Sequence, residues 1–140
     1  MTLPLKPAII KLTPPASAGQ NYKGEFTMPF INVKTNSKVP AEKAEEIKSA
    51  LGRAITAIPG KSEGWLMVGI EDEYKLYFKG TEEPAAMVEV SLYGNASPNA
   101  LNTLTGHITG LLSDTLGIPA DRIYVSYMCT ENWGWNGSNF

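Results

Sequence analysis

Side chains able to carry acid–base, nucleophilic or metal chemistry are sparse in this sequence. His107 is the only histidine and Cys129 the only cysteine among 140 residues. One cysteine cannot form an intrachain disulfide, and one histidine cannot supply a paired-histidine metal motif. We interpret His107, which lies in a helical pattern, as a helix-surface residue and Cys129 as a buried, inert thiol. The sequence therefore predicts no metal site and no cofactor.

The remaining candidates are one lysine and several aromatic residues, and each also has a simple packing interpretation. Lys61 follows Pro59 and Gly60, which end a helical pattern, so it could be a solvated loop charge. Tyr124 could be a strand residue that packs between subunits. An aromatic tail could serve as core, as interface or as the wall of a site; it contains Trp133, Trp135 and Phe140. The sequence contains no phosphate-binding loop and no dinucleotide fingerprint.

Composition limits the class of protein. The chain has a formal net charge of −2, 43% hydrophobic residues and 19% charged residues, which is typical of one globular domain. The sequence lacks a run of basic residues, so we expect no nucleic-acid partner. It also lacks an apolar run long enough for a membrane span. Pro4, Lys6 and Pro7 replace the apolar core of a signal peptide, so we expect a cytoplasmic location.

The first 27 residues differ from the rest and are interpreted as an N-terminal extension. They contain four of the ten prolines, and residues 14–19 have the proline and small-residue composition of a linker. Residues 8–13 could form a short strand. We expect the folded domain to span residues 28–140.

The first half of that domain predicts strand, helix, strand. Residues 30–35 and 65–70 are strand candidates, and residues 74–78 form a third, shorter one. Pro40 is placed at the first helical position. A helical stripe follows at spacings of three and four, formed by Ala44, Ile47, Leu51, Ala54 and Ile58.

The second half repeats this plan. Residues 87–93 alternate as a strand does, and Ser97 and Pro98 predict a helix start that Gly117 ends. Residues 122–127 form the last long strand, and residues 134–137 could contain one short hairpin strand.

Two β-α-β repeats predict an α/β fold: a mixed four-stranded sheet with both helices on one face. The opposite face would then be apolar and uncovered, with Trp65, Met67 and positions near Val88 and Val90 exposed. A symmetric homo-oligomer is the simplest way to cover such a face.

Five segments of the sequence resemble one known family. They are residues 28–36, Gly60 with Lys61, residues 81–85, residues 119–124 and residues 133–140. In order and with few gaps, they resemble the macrophage migration inhibitory factor family of the tautomerase superfamily, over residues 28–140. The resemblance implies a homotrimer, keto–enol tautomerase (isomerase) activity on phenylpyruvate-like α-keto acids, and no cofactor.

The resemblance also assigns roles to residues. Pro29 would be the catalytic base, because a free N-terminal proline in an apolar pocket has a lowered pKa and can accept a proton. Lys61 would hold the substrate carboxylate, and Tyr124 would approach from a neighbouring subunit. The other substrate-binding positions would be Ile31, Tyr93, Ser126, Trp133, Trp135 and Phe140.

Three departures from the family pattern matter. Ser126 replaces an asparagine that helps some members bind substrate. Ala85 and Val88 occupy the positions of the two redox cysteines, so no thiol–disulfide activity is expected. Pro29 is joined to Met28, so its nitrogen is an amide without a usable lone pair. As written, residues 1–140 should be a weak tautomerase.

Three interpretations therefore remain open. The first is a tautomerase that becomes active when the Pro29 nitrogen is freed. The second is a catalytically silent, cytokine-like binding protein that engages a protein receptor, with the extension blocking Pro29. The third is that residues 8–13 act as a docking strand. Relatives leave cells without a signal peptide, so secretion by that route stays open by analogy.

Overall fold

The computed structural model describes residues 28–140. Within this range the chain forms one four-stranded sheet, two helices and a small C-terminal hairpin. The main elements are β1 (Phe30–Thr35), α1 (Ala41–Ala54), β2 (Met67–Glu71), β3 (Ala86–Tyr93), α2 (Pro98–Leu116), β4 (Ile123–Thr130), β5 (Gly134–Trp135) and β6 (Ser138–Asn139). The predicted strand in residues 8–13 lies outside the described residues.

The sheet topology confirms the predicted repeat. The strand order is β2-β1-β3-β4, with β1 parallel to β2, β3 parallel to β4, and β1 antiparallel to β3. Each parallel pair is joined through a helix, as parallel strands require. Both helices pack on one face of this mixed sheet.

The core lies between the helices and that face. Alternation along β1 and β3 directs Ile31, Val33, Val88 and Val90 towards the helices, where all four are buried. The helical stripes supply the other half of the core, with Ile47 and Leu51 from α1 and Leu104, Ile108 and Leu112 from α2. Burying each such side chain stabilises the fold by about 1.5–3 kcal/mol.

The helix ends follow local sequence signals. The Ser97 side chain accepts a hydrogen bond from the backbone N–H of Ala100 at 3.1 Å, which confirms the predicted cap of α2. Gly117 ends α2 in the left-handed region, with φ 71°. The first helix is shorter than predicted. Pro40 precedes it as the N-cap, and residues 55–57 form a 3₁₀ turn instead of continuing the α-helix.

The prediction of a short strand at residues 74–78 is wrong. These residues belong to a loop whose only ladder contact among residues 28–140 is a bridge between Phe78 and Thr81. Glu73 and Lys79 have positive φ values of 54°, which turn the chain out of an extended conformation at each end of this segment. Side-chain hydrogen bonds replace a sheet ladder there.

The predicted strand at residues 65–70 begins two residues later. Trp65 belongs to a 3₁₀ turn (Glu63–Trp65), and the strand starts at Met67. This turn leads the chain from the helix layer to the edge of the sheet. Trp65 and Leu66, the first two apolar residues of the run, therefore lie before the strand and do not pair with β1.

The open face of the sheet is less apolar than predicted. Val88 and Val90 face the helices, and their neighbour Glu89 faces outwards. Lys34 forms a 3.1 Å ion pair with Glu89, and Asn32 donates a hydrogen bond to Glu71 at 2.8 Å. Apolar side chains flank this polar strip: the exposed fractions of Met67 and Met128 are 67% and 58%. The open face is therefore a mixed surface.

The C-terminal residues form a hairpin, and its first strand, Gly134–Trp135, lies within the segment predicted to contain one short hairpin strand. Strands β5 and β6 pair in antiparallel fashion around Asn136 and Gly137, which both have positive φ. In the part of the chain described by the structure, no helix is long and apolar enough to cross a membrane.

Candidate functional site

Lys61 lies in the connection between α1 and β2, and its side chain is buried. Its backbone N–H bonds to the carbonyl of Ile58, which tightens the turn after the helix. Its ammonium Nζ donates a hydrogen bond to the carbonyl oxygen of Tyr93 at 3.3 Å. Only 5% of the residue is exposed. The loop therefore carries a cation from the helix layer to the end of strand β3.

The charge of this ammonium is not balanced by a carboxylate of the described residues. No carboxylate within residues 28–140 forms an ion pair with Lys61. Burial lowers the pKa of Lys61 from 10.5 to about 8, and the nearby Cys129 thiol partly opposes this shift. At pH 7 the amine is still mainly protonated. A buried ammonium without an ion-pair partner in residues 28–140 is suited to binding an anion.

Four aromatic rings surround this end of the sheet. The ring of Tyr93 is 4.9 Å from that of Phe140, and Phe140 stacks on Trp135 at 6.5 Å. Trp135 meets Trp65 edge to face at 5.2 Å. We call Trp65, Tyr93, Trp135 and Phe140 the aromatic cluster. The hairpin brings its last two members back over β3, so Lys61 and a broad apolar surface share one end of the sheet.

Pro29 lies at the same end. It is buried, and its carbonyl accepts a hydrogen bond from the N–H of Met67 at 2.9 Å. Because Phe30 pairs with Ser91 in antiparallel register, the preceding Pro29 continues towards the end of β3 where Tyr93 lies. Its nitrogen is bonded to Met28, so it has no basic lone pair in this chain.

Ile31 and Trp133, two of the predicted substrate-binding residues, do not belong to the aromatic cluster. Ile31 is fully buried in the core between sheet and helices. It supports β1 from the helix side and does not line an accessible surface of this chain, because β1 alternation turns it away from the open face. Trp133 is half-buried, and its carbonyl accepts a hydrogen bond from the Phe140 N–H at 3.1 Å, which closes the tail.

Tyr124 and Ser126 are not brought to this site within one chain. Tyr124 pairs with Met87 and Ser126 with Glu89, whereas Tyr93 pairs with Thr130 at the other end of β4. Six residues of strand separate Tyr124 from Thr130, which is about 20 Å. One chain therefore holds Pro29, Lys61 and the aromatic cluster together but keeps Tyr124 apart from them.

Sequence reasoning missed two features of the site. Trp65 was assigned to a strand, although its position four residues after Lys61 was a signal that it could share the lysine's loop. The contact of Tyr124 with Phe78 was also missed, because the loop that carries Phe78 was predicted as a strand. His107 is exposed on α2, and Cys129 is a free, half-buried thiol.

The buried amine predicts a specific pH dependence of stability. The folded-state pKa of Lys61 is about 8 and the unfolded value is 10.5, so between these pH values the unfolded chain binds more protons. The free energy of unfolding should therefore rise with pH across this window, relative to a Lys61→Met variant, by at most about 3 kcal/mol.

Urea unfolding at pH 7, 8, 9 and 10 measures this difference. The exposed Lys38 supplies the matched control, and Lys38→Met should keep the wild-type pH profile. Parallel pH profiles for wild type and Lys61→Met would contradict the burial of a protonatable amine at this position.

Comparisons with known proteins agree with this architecture. The family model for macrophage migration inhibitory factor (MIF) matches residues 28–140. The macrophage migration inhibitory factors of Rattus norvegicus and Meriones unguiculatus are 34% and 33% identical over 116 and 118 residues, which cover 81% of this chain and 99% of each relative.

Solved structures give the same result. The crystal structure of MIF2 from Leishmania major is 34% identical, with a TM-score of 0.76 over 81% of this chain and 97% of that one. A macrophage migration inhibitory factor homologue from Prochlorococcus marinus is 30% identical, with a TM-score of 0.66 over 79% of this chain and 98% of that one. The mixed sheet and two helices therefore have the tautomerase-type fold of these relatives, and the chain belongs to the macrophage migration inhibitory factor family.

Proposed function

We propose that this protein is a keto–enol tautomerase of phenylpyruvate-like α-keto acids, active when the Pro29 nitrogen is free. One observation carries the proposal: the buried Lys61 ammonium, the aromatic cluster and Pro29 share one end of the sheet. An aromatic α-keto acid offers a carboxylate to the ammonium and a ring to the aromatic side chains. Lysine and ring contacts together would orient the substrate.

In the proposed reaction Pro29 is the base. As a free secondary amine it takes a proton from the carbon next to the carbonyl, and the proton is returned to the carbonyl oxygen to give the enol. Burial of residue 29 favours the neutral amine over its charged form, which keeps it able to accept a proton near pH 7. Lys61 binds the carboxylate and does not transfer the proton.

We further propose that the open face of the sheet assembles three subunits and completes each site. Met67, Met128 and Tyr124 are exposed on this face, with exposed fractions of 67%, 58% and 60%. A homotrimer would bury these side chains and allow Tyr124 of one subunit to approach the Pro29 end of its neighbour. Ser126, on the same face, would then lie near that junction.

The amide at Pro29 favours a second candidate function. With its nitrogen bonded to Met28, the chain lacks the base and would act as a catalytically silent, cytokine-like protein that binds a receptor through its surface. Residues 1–27 would then be an extension that blocks Pro29. The two candidate functions imply different locations. The enzyme would be cytoplasmic, and the binding protein would be exported without a signal peptide.

Activity before and after release of Pro29 tests the enzyme proposal. A chain that begins at Pro29 should tautomerise phenylpyruvate at least about 100-fold faster than residues 1–140, because a positioned base contributes that much. Intact mass on each sample verifies its N-terminus, and a Pro29-initiated chain carrying Lys61→Met should have a raised KM. Inactivity of both chains would favour the binding-protein alternative.

Light scattering tests the assembly. The wild-type chain should have the mass of a trimer, and Met128→Glu should shift it towards monomer, because a carboxylate would be buried in the interface. Thr103→Glu, exposed on α2, is the matched control and should remain trimeric. Deletion of residues 1–27 should lower the mass of each chain but leave the number of subunits unchanged. A trimeric Met128→Glu variant would contradict assembly through this face.

A further inference from the structure

The loop between β2 and β3 spans residues 72–85. Arg122, just before β4, holds this loop in place. Within residues 28–140, the Arg122 guanidinium donates hydrogen bonds only to main-chain carbonyls of this loop. Its Nε bonds to Pro84 at 2.9 Å, and its terminal nitrogens bond to Phe78 at 3.2 Å, Thr81 at 3.4 Å and Glu83 at 2.9 Å. Arginine can do this because its five donors lie in a rigid plane. The loop therefore has a defined position although it is not a strand.

Asn36 fixes the same loop from the opposite side. Its amide nitrogen donates to the carbonyls of Leu76, Glu82 and Glu83 at 3.0–3.1 Å, and its oxygen accepts from the N–H of Ala85 at 3.0 Å. None of these bonds uses a side chain of the loop. Loop side chains can therefore be changed without removing the bonds that order its backbone.

One loop side chain connects this arrangement to Tyr124. The Phe78 ring lies beneath the Arg122 guanidinium at 5.2 Å and meets the Tyr124 ring edge to face, with centroids 5.1 Å apart and planes at 87°. Tyr124 is 60% exposed, and its hydroxyl makes no hydrogen bond within residues 28–140. The Phe78 contact therefore restricts the ring of an otherwise exposed tyrosine.

We propose that Phe78, supported by Arg122, is a positioning residue that holds Tyr124 in the orientation in which it enters the neighbouring subunit's site. The inference rests on the proposed function, in which Tyr124 contacts substrate across a subunit boundary. A free tyrosine side chain samples several rotamers, and an edge-to-face contact favours the one that keeps the rings together. Phe78 acts through Tyr124 and does not touch the substrate.

The Phe78→Leu variant tests this role without disturbing the loop. Arg122 bonds to the carbonyl of Phe78, which every residue has, and leucine keeps apolar volume while removing the ring. The exposed Tyr77, beside it in the loop, supplies the matched control, Tyr77→Leu. All variants are made in the chain that begins at Pro29, since the family model matches residues 28–140 and 81% of this chain covers 97% of a solved, folded relative.

Steady-state kinetics with phenylpyruvate give the first readout. Phe78→Leu should raise KM about tenfold with little change in kcat, and Tyr77→Leu should have the wild-type KM. The double variant Phe78→Leu with Tyr124→Leu should have the KM of Tyr124→Leu alone, because the ring contact has no function once the tyrosine is gone. A wild-type KM for Phe78→Leu, or multiplied effects in the double variant, would overturn the positioning role.

Mixed trimers give a second readout, which a merely structural defect would not reproduce. Lys61→Met subunits refolded with Tyr124→Leu subunits should regain about one intact site in four, since each site takes its lysine and its tyrosine from different chains. Phe78→Leu should behave like Tyr124→Leu: it should complement Lys61→Met and fail to complement Tyr124→Leu. Complementation of Tyr124→Leu by Phe78→Leu would contradict the proposal.

The outcomes separate this inference from the proposed function. If Lys61→Met and Tyr124→Leu both lose function but Phe78→Leu does not, the positioning role alone fails. If the Pro29-initiated wild type neither turns over nor binds phenylpyruvate, the proposed function fails and the positioning role fails with it.

Discussion

The central interaction of this structure is the burial of the Lys61 ammonium against the backbone carbonyl of Tyr93. Removing a charge from water without an opposite charge costs free energy, and this cost lowers the pKa of Lys61 to about 8. A chain selected only for stability would place an apolar side chain there. Two elements hold the lysine in this buried position: a tight turn after α1 presents it, and the end of β3 supplies the carbonyl that accepts its hydrogen bond.

Two physically different sheet faces explain how such a site is arranged. The helix-facing side is continuous core, and it fixes the ends of β1 and β3 relative to the turn that carries Lys61. The open face carries a polar strip between exposed methionines and Tyr124, so it can pair with another subunit while remaining compatible with water. Within one chain, Tyr124 lies about 20 Å along β4 from the Lys61 end. Assembly and catalysis are therefore linked in our proposal.

Much of the fold could be predicted because local signals coincided with periodicity. Ser97 and Gly117 delimit α2, and alternation in residues 87–93 identifies β3 and its buried face. The loop at residues 74–78 could not be predicted, because the hydrogen bonds that shape it come from Asn36 and Arg122, which are distant in sequence. Without knowledge of these distant hydrogen-bond partners, the apolar and aromatic composition of the segment predicts a strand.

Only part of the candidate site could be predicted from the sequence. Lys61 and the aromatic tail were identified by resemblance, and the structure brings Lys61, Tyr93, Trp135 and Phe140 to one end of the sheet. Ile31 lies in the core of this chain, because motif similarity gives only a position in the chain and strand alternation decides which face of the sheet a side chain occupies. Trp65 was missed because a six-residue apolar run does not reveal that its first residues form a turn.

Binding of phenylpyruvate at pH 7, measured by calorimetry on the Pro29-initiated chain and on its Lys61→Met variant, tests the central claim most directly. The claim that Lys61 is a buried anion-binding group predicts a Kd about 10- to 100-fold weaker in the variant, as expected for loss of a charge-assisted hydrogen bond. Equal dissociation constants in the two chains would contradict it.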